Sequence, residues 1–482
     1  MRSLPKLGFL LLALVLLGGC KTAVKAPDIP EIYRLPARYE GVDRNPVIVV
    51  PGIMGSILEQ EGTGVPVWGA FSGEFVDPET PYGAALAALP MAKGVPLSDL
   101  QDDVVSTGAL DRLRFDLFGL PIELSAYANI MRTLGVGGYA DEDLGRAGEI
   151  DYGDRHYTCF QFHYDWRRSN VENAALLDAF IQDKAEYVRQ QRRERFGETD
   201  EPVRFDIVAH SMGGLITRYY LRYGAEQLPS NGSLPEITWE GAKHVEKAIL
   251  VGTPNGGSTD SIHRLVDGLD LSILAQYDPV IIGTFPSLYE LMPRGRQQVL
   301  QVDGVPTEWL EPTDPSVWFR FGWGLAADGK EAELARILPN VPVDQLKEIA
   351  RDHLEKCLQN AQQFHEAIDR PASPPPGTVI ELFAADSEPT PSLVLVDPAT
   401  YEIRQTQLRP GDRTVLRTSA LMDERVGQKW VPRLRSPIQW NAVTFIFSDH
   451  LGMTRDPVFT DNILYRLLEA PRPTQRETRN GL

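Results

Sequence analysis

The chain is poor in cysteine, poor in positive charge relative to negative, and nearly free of long apolar runs. Three Cys in 482 residues cannot staple a disulfide scaffold. Lys and Arg number 48 against 66 Asp and Glu, a formal charge of −18, which argues against nucleic acid as the main partner, since phosphate binding needs clustered cations. Metal-ligand spacing of Cys and His is also missing, and nothing in the sequence calls for a metal or organic cofactor. What is present is an ordinary globular content, 43% hydrophobic residues with 41 Gly and 37 Pro. At ~150 residues per domain the length suggests about three domains, although α/β enzymes with insertions fold this much chain around one core.

The one sustained apolar run, Leu7 to Leu17, follows Arg2 and Lys6 and ends in Gly18-Gly19-Cys20. It is shorter than the ~20 residues a membrane-spanning helix needs, and its basic front and small-residue end have the layout of a secretory signal. Leu17-Gly18-Gly19-Cys20 resembles a bacterial lipobox, which implies cleavage after residue 19 and lipid on Cys20. Loss of Arg2 and Lys6 leaves 46 basic against 66 acidic residues, a charge of −20. Lys21, where an Asp would favour inner-membrane retention, points by the same resemblance to the outer membrane of the cell envelope. Residues 20–45, with Pro27, Pro30 and Pro36, read as a tether.

From residue 46 to about 470, short β-branched runs alternate with helical patterns, the signature of an α/β fold with a mostly parallel central sheet flanked by helices. The expected strands are 46–50, 158–163, 203–209, 247–252, 379–385 and 442–447. A helix with Leu177, Phe180, Ile181, Ala185 and Val188 on one face lies between the second and third. Residues 60–150 and 258–370 interrupt the alternation and are long enough to be a cap and a lid, the latter with a charged helical segment. Residues 386–440 read as a hairpin excursion. Cys159 and Cys357 read as buried small hydrophobes.

Ala209-His210-Ser211-Met212-Gly213-Gly214 follows one of these strands and opens a helical run. A strand entering a helix through one sharp turn needs small residues beside a strained nucleophile, here Ser211, as in the G-x-S-x-G elbow of α/β-hydrolases. A serine needs a base and the base needs an acid, in the chain order Ser, Asp or Glu, His. Among eight His, three precede or adjoin the serine, His244 and His263 follow it too closely, and His353 and His365 fall in the charged segment, facing solvent or packing at its flank. His450, just after a late strand, remains. Asp386, Asp397 and Asp412 are open as the acid, with spacing slightly favouring Asp386. Backbone N–H groups of Met212 and of Ile53, in the turn after the first strand, are placed to form an oxyanion hole.

The blocks Pro46 to Ser56, Tyr164-Asp165-Trp166-Arg167, Ala209 to Gly214, Gly252 to Ser258, Gly411-Asp412-Arg413-Thr414-Val415 and His450-Leu451-Gly452-Met453 resemble, in this order, those of the lecithin:cholesterol acyltransferase family. The resemblance implies that Asp412 rather than Asp386 is the acid, and that Asp165 and Arg167 form a structural pair. It implies a lid at 259 to about 292, in which Ile273, Leu274, Tyr277, Val280, Ile281, Ile282 and Phe285 offer apolar surface to lipid or serve equally as core. Trp68 stands where that family carries membrane-facing aromatics. The implied activity is a serine-dependent lipid acyl hydrolase or O-acyltransferase acting on glycerophospholipid or related acyl esters at a membrane surface. A carboxylesterase or triacylglycerol lipase, and a non-catalytic envelope lipoprotein using the fold as a binding module, are the other readings. Cysteines matching the disulfides of the animal enzymes are not recognisable, which weakens sterol as an acceptor.

Overall fold

The computed structural model describes residues 27–69, 76–110, 113–117, 120–124, 126–197, 202–271, 275–425 and 431–471. The expected signal peptide and the Cys20 lipidation site lie outside the described residues.

Six strands build one all-parallel sheet: β1 (Val47–Val50), β2 (Cys159–Gln161), β3 (Phe205–His210), β4 (Val245–Val251), β5 (Val379–Ala385) and β6 (Ala442–Ile446), in the spatial order β6-β5-β4-β3-β1-β2. They are the six runs expected from the sequence, with ends that differ by no more than two residues. Because alternate side chains point to opposite faces, each central strand feeds two cores. Ile48, Val50, Phe205, Ile207, Ala248 and Leu250 pack on one side with Leu177 and Ile181 of α1 (Asn170–Phe196) and Leu215 and Tyr219 of α2 (Gly213–Tyr223). Val47, Val49, Val208, Ile249 and Val251 pack on the other with Ile130 and Leu134 of the helix Ala126–Val136. Phe459, Ile463 and Leu464 of the helix Pro457–Leu468 complete that side. Covering on both faces explains why β1, and the stretches 207–209 of β3 and 248–251 of β4, are continuous apolar runs rather than alternating ones.

The chain leaves β1 toward β2 at one edge and leaves β3 toward β4 in the opposite direction. The loops at the C-terminal ends of β1 and β3 therefore diverge, and a crevice opens between them.

The expected cap, 60–150, supplies Pro66–Trp68, Val104–Ala109 and short helices, and its two strands pair antiparallel with Ser56–Gln60 just before it. Residues 258–370 form α3 (Thr259–Asp267), several short helices and the long α4 (Val343–Asp369). The excursion is the hairpin of Glu388–Val396 and Ile403–Gly411, with Leu300–Val302 added in parallel to its first strand.

Four expectations are corrected. The described part of the tether is not free: Asp28 caps the turn Ile29–Ile32, Ile29 and Tyr33 are buried against the second core, and Tyr33 Oη donates to the main chain of Asp461 at 2.8 Å. One turn with two apolar residues four apart is too short to show as a period. Of the two readings of the lid residues, lipid-facing surface gives way to core for Tyr277, Val280, Ile281, Ile282 and Phe285, while Ile273 and Leu274 lie outside the described residues. Trp68 is buried: its Nε1–H donates to Met54 O at 3.0 Å and its ring meets Trp166 edge-on at 5.2 Å. His353 and His365 are also buried, with Nε2 donating to the carbonyls of Thr284 (3.1 Å) and Glu290 (2.7 Å), and burial pushes both pKa values down, to about 4 and about 3. Cys159 and Cys357 are buried and unbridged.

Candidate active site

Ser211 sits between β3 and α2 with φ at +53°, a left-handed conformation that a residue with a Cβ adopts only when its surroundings hold it there. Its N–H extends the ladder to Val251 O (2.8 Å) and its C=O accepts from Gly214 N–H (3.0 Å). Two glycines make the turn possible. A Cβ on Gly213 would stand 2.4 Å from Pro51 O and 2.6 Å from Val50 O, and one on Gly52 would stand 2.7 Å from Ser211 Cβ. The ends of β1 and β3 thus touch through bare backbone.

The structure brings Ser211, His450 and Asp412 together. His450 Nε2 is 3.0 Å from Ser211 Oγ, and His450 Nδ1 is 2.8 Å from Asp412 Oδ2. Asp412 is 1% exposed; its other oxygen, Oδ1, accepts from the N–H groups of Thr414 (3.0 Å) and Val415 (2.6 Å), so the carboxylate cannot swing away from the ring. A backbone bond from His450 N–H to Asp412 O at 2.9 Å fixes the two loops to each other. Burial alone would lower the pKa of His450, but the charge and hydrogen bond of Asp412 outweigh it, and the pKa lies above the ordinary histidine value. The geometry agrees with the acid implied by the family resemblance and not with spacing: Asp386 is ion-paired with Arg417, and Asp397 accepts from the N–H groups of Ala399 and Thr400 in the hairpin turn.

Ile53 lies in the turn after β1, closed by Gly55 N–H to Gly52 O at 3.1 Å, and Met212 is the N-cap of α2. Among the described residues, neither of their N–H groups donates to an acceptor, which leaves both able to bind an oxyanion.

The cleft over Ser211 has a volume of about 600 Å³, within the range of small-molecule sites. Ile53, Trp68, Leu110, Leu269, Leu288 and Leu291 give it an apolar wall, and Arg264, Asp260 and Arg455 lie among its polar lining. Tyr277 and Phe285 do not reach into it. They stand behind the wall, Tyr277 against Trp68 (5.9 Å) and Phe285 against Trp166 (5.7 Å). Arg167 is buried with Asp165 and Asp102 (2.7 Å each) and donates to Leu86 O and Ala87 O, tying the cap to the sheet, the structural part expected of it. Among the described residues, no group of three or more His, Cys, Asp or Glu is gathered to hold a metal ion, and no helix is long and apolar enough to cross a membrane.

Two contributors were not read from the sequence. His210 is excluded as a base by chain order, yet its ring is hydrogen-bonded to Tyr127 Oη (3.2 Å) and to the main-chain oxygen of His450 (3.2 Å). Tyr127 Oη in turn accepts from Gly52 N–H at 2.6 Å. Burial, with a smaller contribution from His450, lowers the His210 pKa to about 3, so its ring is neutral. His210 was visible in the elbow motif; Tyr127, inside the cap, carried no signal.

An elbow serine over the C-terminal edge of an all-parallel sheet, with helices on both faces, defines the α/β-hydrolase fold. The lecithin:cholesterol acyltransferase family model matches residues 149–318, in agreement with the resemblance carried by the motif blocks. That stretch includes Ser211 and Met212 and stops before Asp412 and His450. Among solved structures, a chain of the Tle4–Tli4 complex is 16% identical with a TM-score of 0.53, over 89% of this chain and 99% of that one, a likeness of fold. The Bacillus licheniformis lipase BlEst2 in mature form (11% identity, TM-score 0.31, 89% of this chain and 94% of that one) also matches. So does lipase 1 from Pelosinus fermentans (13%, 0.33, 89% and 99%). No curated protein matches.

Proposed function

We propose that the chain is a serine-dependent lipid acyl hydrolase or O-acyltransferase that works through an acyl-enzyme on glycerophospholipid or related acyl esters. The observation that carries this reading is the continuous hydrogen-bonded line from Asp412 through His450 to Ser211, opening into a cleft with one apolar wall. His450 Nε2 takes the Ser211 proton as Oγ attacks the ester carbonyl, and Asp412 stabilises the imidazolium. The N–H groups of Ile53 and Met212 receive the oxyanion, each such donor being worth about 10²–10³ in rate. His450 then protonates the leaving alcohol, and water or a second alcohol takes the acyl group from Ser211. The apolar wall supports a lipid acyl chain as the group transferred.

Labelling by a fluorophosphonate tests the nucleophile: Ser211 labels in the folded chain, and Ser211→Ala neither labels nor turns over esters. Unchanged ester turnover in that variant would sink the reading. Mass spectrometry of products from mixed phospholipids, with and without an added alcohol, reports donor, position and acceptor together, and neutral glycerides as the preferred donor mark a triacylglycerol lipase instead. On the residue pattern alone we also propose lipidation at Cys20 and an outer-membrane location. A Cys20→Ser chain that still fractionates with membranes counts against that anchor.

A further inference from the structure

A second cavity, about 340 Å³, shares a wall with the catalytic cleft. Both are lined by Ser258 and Thr414, which are joined by a hydrogen bond from Ser258 Oγ to Thr414 O at 2.6 Å. The cavity lies between α3 and the three-stranded sheet of the excursion. In a chain with 66 acidic residues, none of the described residues lining it is Asp or Glu. Its polar groups are neutral amides and hydroxyls, with Arg409 as the one charge.

Three features mark it as a built site. Gln297 is 8% exposed, yet its side-chain amide makes no hydrogen bond with another described residue. Its amide atoms remain accessible at the cavity wall, where they present two donors and an acceptor. Gly256 makes room for it, because a Cβ there would stand 2.5 Å from Gln297 Nε2. Trp309 presents a 38% exposed indole at the same cavity, and its segment is fixed by Leu310 N–H to Leu300 O (2.9 Å) and Val302 N–H to Glu308 O (3.1 Å). The ring is therefore carried by a segment bridged to Gln301 of the neighbouring strand. Gln407 and Arg409, both exposed, extend from the adjacent hairpin strand.

We propose that this cavity binds a saccharide. The C–H face of a pyranose is apolar and slightly positive, and it suits the electron-rich face of an indole. Vicinal hydroxyls both donate and accept, as do the amides of Gln297 and Gln407, while the planar fork of Arg409 suits a pair of hydroxyls or a sugar carboxylate. Phosphate fits less well, since it recruits several cationic or backbone donors and this wall offers one cation. The sugar comes either free or as the headgroup of a lipid ester. Thr414 N–H holds Asp412 Oδ1, so an occupant of the cavity touches the wall that positions the acid.

The test is ligand-detected NMR on the full chain with methyl glycosides of glucose, galactose, N-acetylglucosamine and glucuronic acid, with glycerol and inorganic phosphate as controls. At least one glycoside binds saturably, with transfer to its ring C–H protons, and Trp309→Ala and Gln407→Ala each weaken it about tenfold or more. Gln297→Ala does the same where circular dichroism shows it folded. Turnover of a short p-nitrophenyl ester is unchanged in Trp309→Ala, so failure of the site is distinguishable from failure of the proposed catalysis. Absence of saturable binding by any glycoside, binding unaltered in both exposed variants, or inorganic phosphate displacing the sugar at equal affinity overturns the proposal. A glycosylated lipid ester whose KM rises in Trp309→Ala, while its aglycone's does not, makes the sugar part of the acyl donor. Equal KM values make it a free glycan, and both outcomes support the site.

Discussion

His210 Nε2 lies 3.2 Å from the main-chain oxygen of His450, so the residue before the elbow serine grips the backbone of the base. A carbonyl only accepts, so Nε2 carries the hydrogen and Nδ1 accepts from Tyr127 Oη, which itself accepts from Gly52 N–H. The line runs from the turn carrying Ile53, beneath the serine, to the histidine loop. Tyr127→Phe removes its middle link and leaves a buried imidazole nitrogen and a buried N–H unpaired. Stability to urea should fall by about 1–3 kcal/mol. Turnover should fall through kcat more than KM, because Tyr127 lines the cleft but the substitution removes only its hydroxyl and leaves the apolar wall of Ile53, Trp68, Leu110 and Leu269 in place. A kcat equal to that of the unaltered chain overturns this positioning role.

Asp412 and Asp386 make opposite predictions. In Asp412→Asn the amide oxygen takes the two turn N–H groups, and the NH₂ then faces His450 Nδ1. That forces the wrong tautomer, and the cost in kcat should approach 10⁴. Asp386→Asn breaks only a rim ion pair with Arg417 and should leave kcat within about a factor of two. Ester hydrolysis by the two purified variants measures both.

The pH profile follows from the raised pKa of His450. The base works only when neutral, so kcat/KM should rise with pH through a midpoint above the ordinary histidine value of about 6.5. In Asp412→Asn, burial acts without its counterweight, and the midpoint of the residual activity should move down. The stability sign is the reverse of the activity sign. A histidine with a raised folded pKa stabilises the fold below its unfolded pKa, and that contribution is lost as pH rises through the folded value. Urea midpoints between pH 5 and 9, compared with His450→Gln, isolate it.

The central sheet was legible because its strands are β-branched runs buried on both faces, and Ser211 because an elbow has few sequence solutions. The proposed acid is not legible from spacing. Asp412 reaches the end of β5 only after the expected hairpin folds back, with Glu388 bridging to Asp412, and no local spacing tells which Asp that return delivers. His353 and His365 were misplaced by the charge of their segment. The buried stripe of α4, with Leu346, Ala350, Leu354, Cys357, Ala361 and Phe364, carries both rings on its inner side, and distant carbonyls satisfy them. Trp68 and Tyr277 are buried under a cap of irregular loops, which leaves no period in the sequence to mark them as core.

The wall of the cleft yields a prediction about chain length. Trp68 lines it with one face and packs on Trp166 and Tyr277 with the others. Trp68→Ala should cost about 3–5 kcal/mol of stability, and Trp68→Phe, which loses chiefly the hydrogen bond to Met54 O, about 1 kcal/mol. A transferred acyl chain loses wall contact at ~0.8 kcal/mol per methylene. The ratio of kcat/KM for octanoyl over acetyl p-nitrophenyl esters should therefore fall in Trp68→Ala, while acetyl turnover, set at Ser211, changes little in the folded fraction. Phe285→Leu is the control, since Phe285 stands one layer behind the wall: stability drops and the ratio holds. An unchanged ratio in a folded Trp68→Ala chain would place the acyl group along another part of the cleft, against Leu269 and Leu291.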